Sequence, residues 1–176
     1  MQMGPALRKG MLSLHIIVSM GWLGALAAYL ALDLIAATNS DLQMVSAAWI
    51  GMNAIVTYVI VPLAIATLIT GIIQSLGTKW GLVRYWWVLI SLVLTIFATV
   101  VLLSQTEHIR LAAEAASHAE TVSGEHGGRG NTLLHSIGGM VVLIVITVLN
   151  VYKPPGLTAY GWRKEEEERA ARSSRI

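Results

Sequence analysis

Five histidines and ten carboxylates, with no cysteine, are the groups in this chain that can hold a metal or move a proton. Their placement is uneven. His108 ends the third apolar stretch and His135 begins the fourth, so antiparallel neighbours would bring the two imidazoles to a similar depth. Facing histidines can ligate the iron of a b-type haem held without covalent attachment, and a helix-bundle core is a usual place for such a cofactor. The same region offers a second arrangement, in which His108, His135 and one of His118, Glu107 or Glu114 gather a copper or zinc ion, since imidazole suits both metals. Asp33 lies near that end too and is the candidate partner for an imidazole N–H of a ligand. Simpler readings stay open beside these: His108 as an interface residue next to Arg110, and His135 as a helix-start residue bonded to Asp33 or Asn53. His15 stands apart at the opposite end. It reads as a buried histidine touching Gln74 or Asn150, or as a single proton-relay residue.

Several chemistries are excluded. Without cysteine there is no disulfide, thiolate metal site, iron–sulfur cluster or thioether-bound haem. The serines are scattered along apolar stretches with no Gly-x-Ser-x-Gly turn, and no phosphate loop is present. Basic residues do not alternate with aromatics, so no nucleic-acid partner is expected.

The elements that must position these residues are written in the hydropathy. Only 12% of the chain is charged, about half of what soluble domains carry. Spanning helices need roughly 20 apolar residues, and four segments qualify: 11–36, 45–76, 83–105 and 131–152. The first follows Arg8 and Lys9 like a signal peptide, but its apolar run is too long for one and reads as a retained helix. Arg8, Lys9, Lys79, Arg84, Lys153, Arg163, Lys164, Arg169, Arg172 and Arg175 fall at one set of ends, against Arg110 and Arg129 at the other. That asymmetry puts both termini in the cytoplasm of a bacterial plasma membrane. A short loop joins the first two spans, a Gly77–Leu82 turn the next two, and a longer outer segment, 106–130, the last two. The first half of that segment, around Glu107–Glu120, is Ala-rich and reads as helix.

Spacing gives each span a mildly polar face: His15, Ser19, Trp22, Leu26, Tyr29 and Asp33 in the first, Asn53, Thr57, Ile60, Ala64, Thr67, Gly71 and Gln74 in the second. Ser91, Thr95 and Thr99 share a face in the third, and His135, Gly139 and Ile146, with Asn150 close by, in the fourth. Such faces turn away from lipid. Pro62 removes a donor mid-way along the second span, leaving the Tyr58 carbonyl free and predicting a kink. Small residues such as Gly21, Ala25, Gly138 and Gly139 permit close helix approach, within the bundle or to a second copy.

Two stretches carry a resemblance. Leu14-His15-Ile16-Ile17-Val18-Ser19-Met20-Gly21-Trp22-Leu23-Gly24 is similar to the opening helix of CopD-like copper-resistance membrane domains, and carries over His15 alone as a matched position. Gln74 through Leu82, followed by Tyr85-Trp86-Trp87 and by Val151-Tyr152-Lys153-Pro154-Pro155-Gly156-Leu157-Thr158, resembles a group of bacterial four-helix membrane proteins with no established activity. This second resemblance covers most of residues 11 to 162 and implies fold and membrane location.

The expectation is therefore an all-α protein: a four-transmembrane-helix bundle over residues 1–155 with short loops, one longer outer loop and a charged cytoplasmic tail over 156–176. It sits in the lipid bilayer and binds b-type haem or a transition metal near its outer face through His108, His135 and Asp33, with His118 as a further metal ligand. The competing expectations are a non-catalytic assembly subunit, contacting a membrane-protein partner or another copy of itself, and a small-solute conduit near Pro62.

Overall fold

A computed structural model describes residues 3–78, 80–117 and 129–174 of the chain, with side chains excluded at 129–131. Four long apolar helices dominate: α1 (Pro5–Thr38), α2 (Leu42–Leu76), α3 (Trp86–Ser117) and α4 (Arg129–Tyr152). Each is long and apolar enough to cross a membrane. A fifth helix, α5 (Ala159–Ser173), carries the charged tail. Among the described residues there is no strand, and the one bridge pairs Tyr85 with Leu157. The sequence-derived all-α architecture is thus the observed one.

Local chemistry sets the helix ends. Pro5 opens α1, where a missing N–H costs nothing. Asp41 caps α2 by accepting from the Gln43 N–H at 3.0 Å. The 34 residues of α1 make about 51 Å at 1.5 Å per residue, well beyond a hydrocarbon core of about 30 Å. The surplus of α1 holds Arg8 and Lys9. Likewise α3 continues without a break as far as Ser117, taking in 107–117 of the Ala-rich stretch expected to be helical, while 118–120 lie outside the described residues; there Arg110 pairs with Glu107 at 2.6 Å and with Glu114.

The helices form a ring in which α1 packs on α2 and α4, and α3 completes it against α2 and α4. The core runs along the seam: Trp22, Leu26 and Tyr29 from α1, Met52, Val56, Ile60 and Ala64 from α2, Ile109 from α3 and Leu143 from α4. Outward faces present Ile16, Ile17, Phe97, Val100 and Val141, as lipid requires. Hydroxyls on the inner faces bond back to their own helices: Thr95 Oγ1 donates to the Ser91 carbonyl at 2.7 Å and Thr99 Oγ1 to the Thr95 carbonyl at 2.8 Å. In α2 the distortion predicted at Pro62 takes the form of a π-helical turn over Val56–Ile60, where the Val61 N–H reaches the Val56 carbonyl. The wider turn accommodates the proline's missing donor just ahead of it.

The charged tail forms α5, which is largely exposed but docked at its start. Pro154 and Pro155 stop α4, and the chain then pairs with the α2–α3 loop. The Trp86 N–H donates to the Gly156 carbonyl at 3.2 Å, and the Thr158 N–H to the Arg84 carbonyl at 3.0 Å. Thr158 Oγ1 donates to the Val83 carbonyl at 2.5 Å and accepts from the Gly161 N–H at 3.1 Å, so one hydroxyl caps α5 and ties it down. Arg84 holds Glu168 through both carboxylate oxygens at 3.1 Å. Gly161 is buried against the Arg84 backbone, and a Cβ there would run into the Arg84 carbonyl oxygen. The variant Gly161→Ala is accordingly expected to free α5 while leaving the four-helix bundle intact. Limited trypsin digestion checks this: cleavage at Arg163 and Lys164 accelerates at least about tenfold, the equivalent of 1.4 kcal/mol of lost docking, with an unchanged bundle melting transition.

The latch also has a pH sign. The Arg84 guanidinium hydrogen-bonded to Glu168 holds that carboxyl below its usual range. A depressed pKa means docking is strongest above the free carboxylate's pKa and is lost as pH falls through the lowered value. Hydrogen exchange at the Thr158 and Gly161 amides should therefore show protection falling on acidification below about pH 4.5, and Glu168→Gln should abolish that dependence.

Candidate functional site

The ring of helices is not sealed between α3 and α4. A cavity of about 310 Å³ opens there, within the range of small-molecule sites. Its walls are apolar: Phe97, Ala98, Val101 and Leu102 from α3, Gly138, Gly139, Val142 and Leu143 from α4. Trp22, Leu26 and Tyr29 of α1 form its back. Val56 and Ile60, the two ends of the π-turn, also line it, so the helix distortion shapes the cleft. Phe97 and Leu134 are exposed at its lips, which places the opening on the lipid-facing side. Polar groups enter at the end away from the termini: His135, Gln105, Thr132 and Ser136.

Of the residues singled out from sequence, His135 lines the cleft with its ring half-buried. Asp33 lies behind the same end and is 1% exposed. Its two oxygens are held by α4: Thr132 Oγ1 donates to Oδ1 at 3.0 Å and Ser136 Oγ to Oδ2 at 2.7 Å. These hydroxyls are one helical turn apart and flank His135 in sequence, so Asp33 fixes the register of the helix that carries the imidazole. His108 is not brought to the cleft. It is exposed on α3, while its neighbour Ile109 turns inward to line the cavity. The reason is angular: adjacent helix positions point about 100° apart, and the core takes the isoleucine. His118 and His126 lie outside the described residues. Glu107 and Glu114, the alternative third ligands, are engaged by Arg110. Among the described residues no three of His, Asp or Glu come together as a metal-binding group.

His15 sits in a separate polar patch near the termini. The Thr70 hydroxyl donates to the Ala66 carbonyl at 2.7 Å, leaving a lone pair for the His15 Nδ1–H at 2.9 Å. The partner is thus Thr70, in place of the expected Gln74 or Asn150. Gly71 makes the room: a Cβ there would stand 3.2 Å from His15 Cε1. Asn150 instead donates to Ser91 Oγ at 3.3 Å. Thr132, Ser136 and Gln105 are the residues of the cleft that sequence reasoning passed over. The signal for the first two was present, a pair of hydroxyls at i and i+4 around His135 on an otherwise apolar helix. Set beside known proteins, the chain matches no family model, no curated protein and no solved structure.

Proposed function

We propose that this protein holds a b-type haem in the cleft between α3 and α4, where His135 is the residue that would hold its iron. One observation carries the reading: an imidazole enters the polar end of a mostly apolar cavity that opens toward lipid, which is how a hydrophobic ring carrying a metal would arrive and be bound. The residues fit a single-histidine site. A two-histidine site through His108 has less support, because that side chain stays outside the lining. The copper or zinc form has less support for the same kind of reason, since the described ligands are dispersed. When bound, haem supplies one-electron or small-ligand chemistry at its iron. The chain's own part is to orient the imidazole through the α4 register set by Asp33, and to exclude water with Trp22, Leu26, Phe97 and Leu143. The excess of Lys and Arg at the end bearing both termini supports a plasma-membrane protein with that end in the cytoplasm, and the cleft's polar end then faces outward. The resemblance to CopD-like domains adds His15 alone, which lies in the other polar patch.

The test is a titration of the detergent-purified protein with haemin, followed at the Soret band. Saturation at one haem per chain is expected. A curve identical to that of empty micelles would remove the proposal. A second reading, an assembly subunit whose partner helix fills the cleft, draws on the same lateral opening. It would lead if haem fails to bind and crosslinks from the Phe97 and Leu134 lips reach another membrane protein.

A further inference from the structure

Hydroxyls inside the spans are mostly closed on their own helices. Ser19 Oγ donates to the His15 carbonyl at 2.6 Å, Thr70 Oγ1 to the Ala66 carbonyl at 2.7 Å, and Ser75 Oγ to the Gly71 carbonyl at 2.8 Å. Thr147 does the same on α4, and Thr95 and Thr99 on α3. Thr67 departs from this habit. The residue is 7% exposed, and its buried Oγ1 has no hydrogen-bond partner among the described residues. Gln74 Oε1 is buried and unpartnered in the same way. Polar atoms left dry within a membrane are costly, so both call for a ligand.

The two atoms belong to one stripe of α2, in which Thr67, Gly71 and Gln74 follow one another by a single turn. The middle position has no side chain, and the His15 ring of α1 takes its place. A Cβ on Gly71 would stand 3.2 Å from His15 Cε1, 3.8 Å from Nδ1 and 4.0 Å from Nε2. The imidazole is thus set between the two unpartnered oxygens along the helix. Side chains lean toward the start of their own helix, which carries the Gln74 amide back toward Gly71 and the ring.

The hydrogens decide what such a place can hold. The Thr70 proton goes to the Ala66 and Thr67 carbonyls, so the contact with His15 uses the Nδ1–H, and Nε2 is an acceptor. Gln74 Oε1 is an acceptor as well, and the Thr67 hydroxyl gives or takes. Two acceptors repel an anion. A cation finds no counter-charge, because the halves of the four spans nearer the termini contain no Asp or Glu, and Arg8 and Lys9 stand about two turns before His15. What fits is a small neutral molecule bringing two hydrogens, and water is that molecule.

We propose that the patch around His15 is an internal water site, with water bound between α1 and α2 by Thr67 Oγ1, His15 Nε2 and Gln74 Oε1. Thr67 lies nine residues before the end of α2 at Leu76, about 14 Å along the helix, which sets this water well inside the span. The cleft is a different place, lined on α2 by Val56 and Ile60, so the inference stands whether or not the cleft takes haem.

Solid-state NMR of the full chain in lipid vesicles tests this, with magnetisation passed from water protons to the threonine side chains. A water-fed signal is expected at Thr67 and none at Thr95 or Thr99, which are equally buried but closed on their own helix. Gln74→Leu should abolish the Thr67 signal, because the water loses an acceptor and meets an apolar side chain. A Thr67 signal no stronger than that of Thr95 would overturn the site. One that survives Gln74→Leu unchanged would refute the part given to Gln74. Loss of a peak in Thr67→Val identifies the residue. Should that variant fail to fold, sequential assignment through Ala66 and Leu68 identifies it in the unaltered chain, where the comparison with Thr95 still decides.

Discussion

Replacing His135 with alanine is expected to weaken haem binding by about 100-fold or more, roughly 2.7 kcal/mol, while His108→Ala leaves it within about twofold. The two histidines looked equivalent in the sequence, one closing α3 and one opening α4. In the fold they are not, since His135 lines the cleft and His108 is exposed on the outer surface of α3. The haemin titration of both variants separates the one-histidine site from the two-histidine site. Equal losses from both would restore His108 as a ligand and require the His108 end of α3 to turn. Equal retention by both would remove histidine ligation at this end.

Filling the cleft is expected to act just as strongly without touching a ligand. Gly138 lines the cavity, and a Cβ added to it meets no atom within 4 Å. Leucine there projects into space a cofactor would use, so Gly138→Leu should lower haem affinity by at least about tenfold, or 1.4 kcal/mol. The fold should gain slightly, because leucine is a better helix former than glycine by up to about 1 kcal/mol. A loss of binding with an unchanged or raised melting temperature is therefore the expected pair of results. Binding that survives Gly138→Leu would place the cofactor elsewhere.

Much of the fold was legible because lipid imposes a strict rule: a spanning backbone must satisfy its own hydrogen bonds, as an apolar run of about 20 residues does by forming a helix, and polar side chains tend to turn inward. The faces built on Trp22, Leu26, Tyr29 and Asp33, and on Ile60, Ala64 and Thr67, are the buried ones observed. Pro62 announced a distortion, though periodicity could not tell a kink from the π-turn at Val56–Ile60. The site was legible in part. Asp33 and His135 lie toward the same end of the bundle, but the partners of Asp33 are the Thr132 and Ser136 hydroxyls, which short-range pattern hides among ordinary helix residues. Which of His108 and Ile109 turns inward depends on the rotation of α3, set by packing over its whole length. The docking of α5 was invisible for another reason: it rests on backbone pairing of Arg84 and Trp86 with residues seventy or more positions away, and a run of charges gives no hint of it.

The most direct test of the central claim is the reduced-minus-oxidised optical spectrum of the full chain purified from haem-replete cells. A Soret band that sharpens on dithionite reduction, with α and β bands, at about one haem per chain and lost in His135→Ala, is the predicted result. A colourless protein from the same cells, or a haem spectrum indifferent to His135, would contradict it.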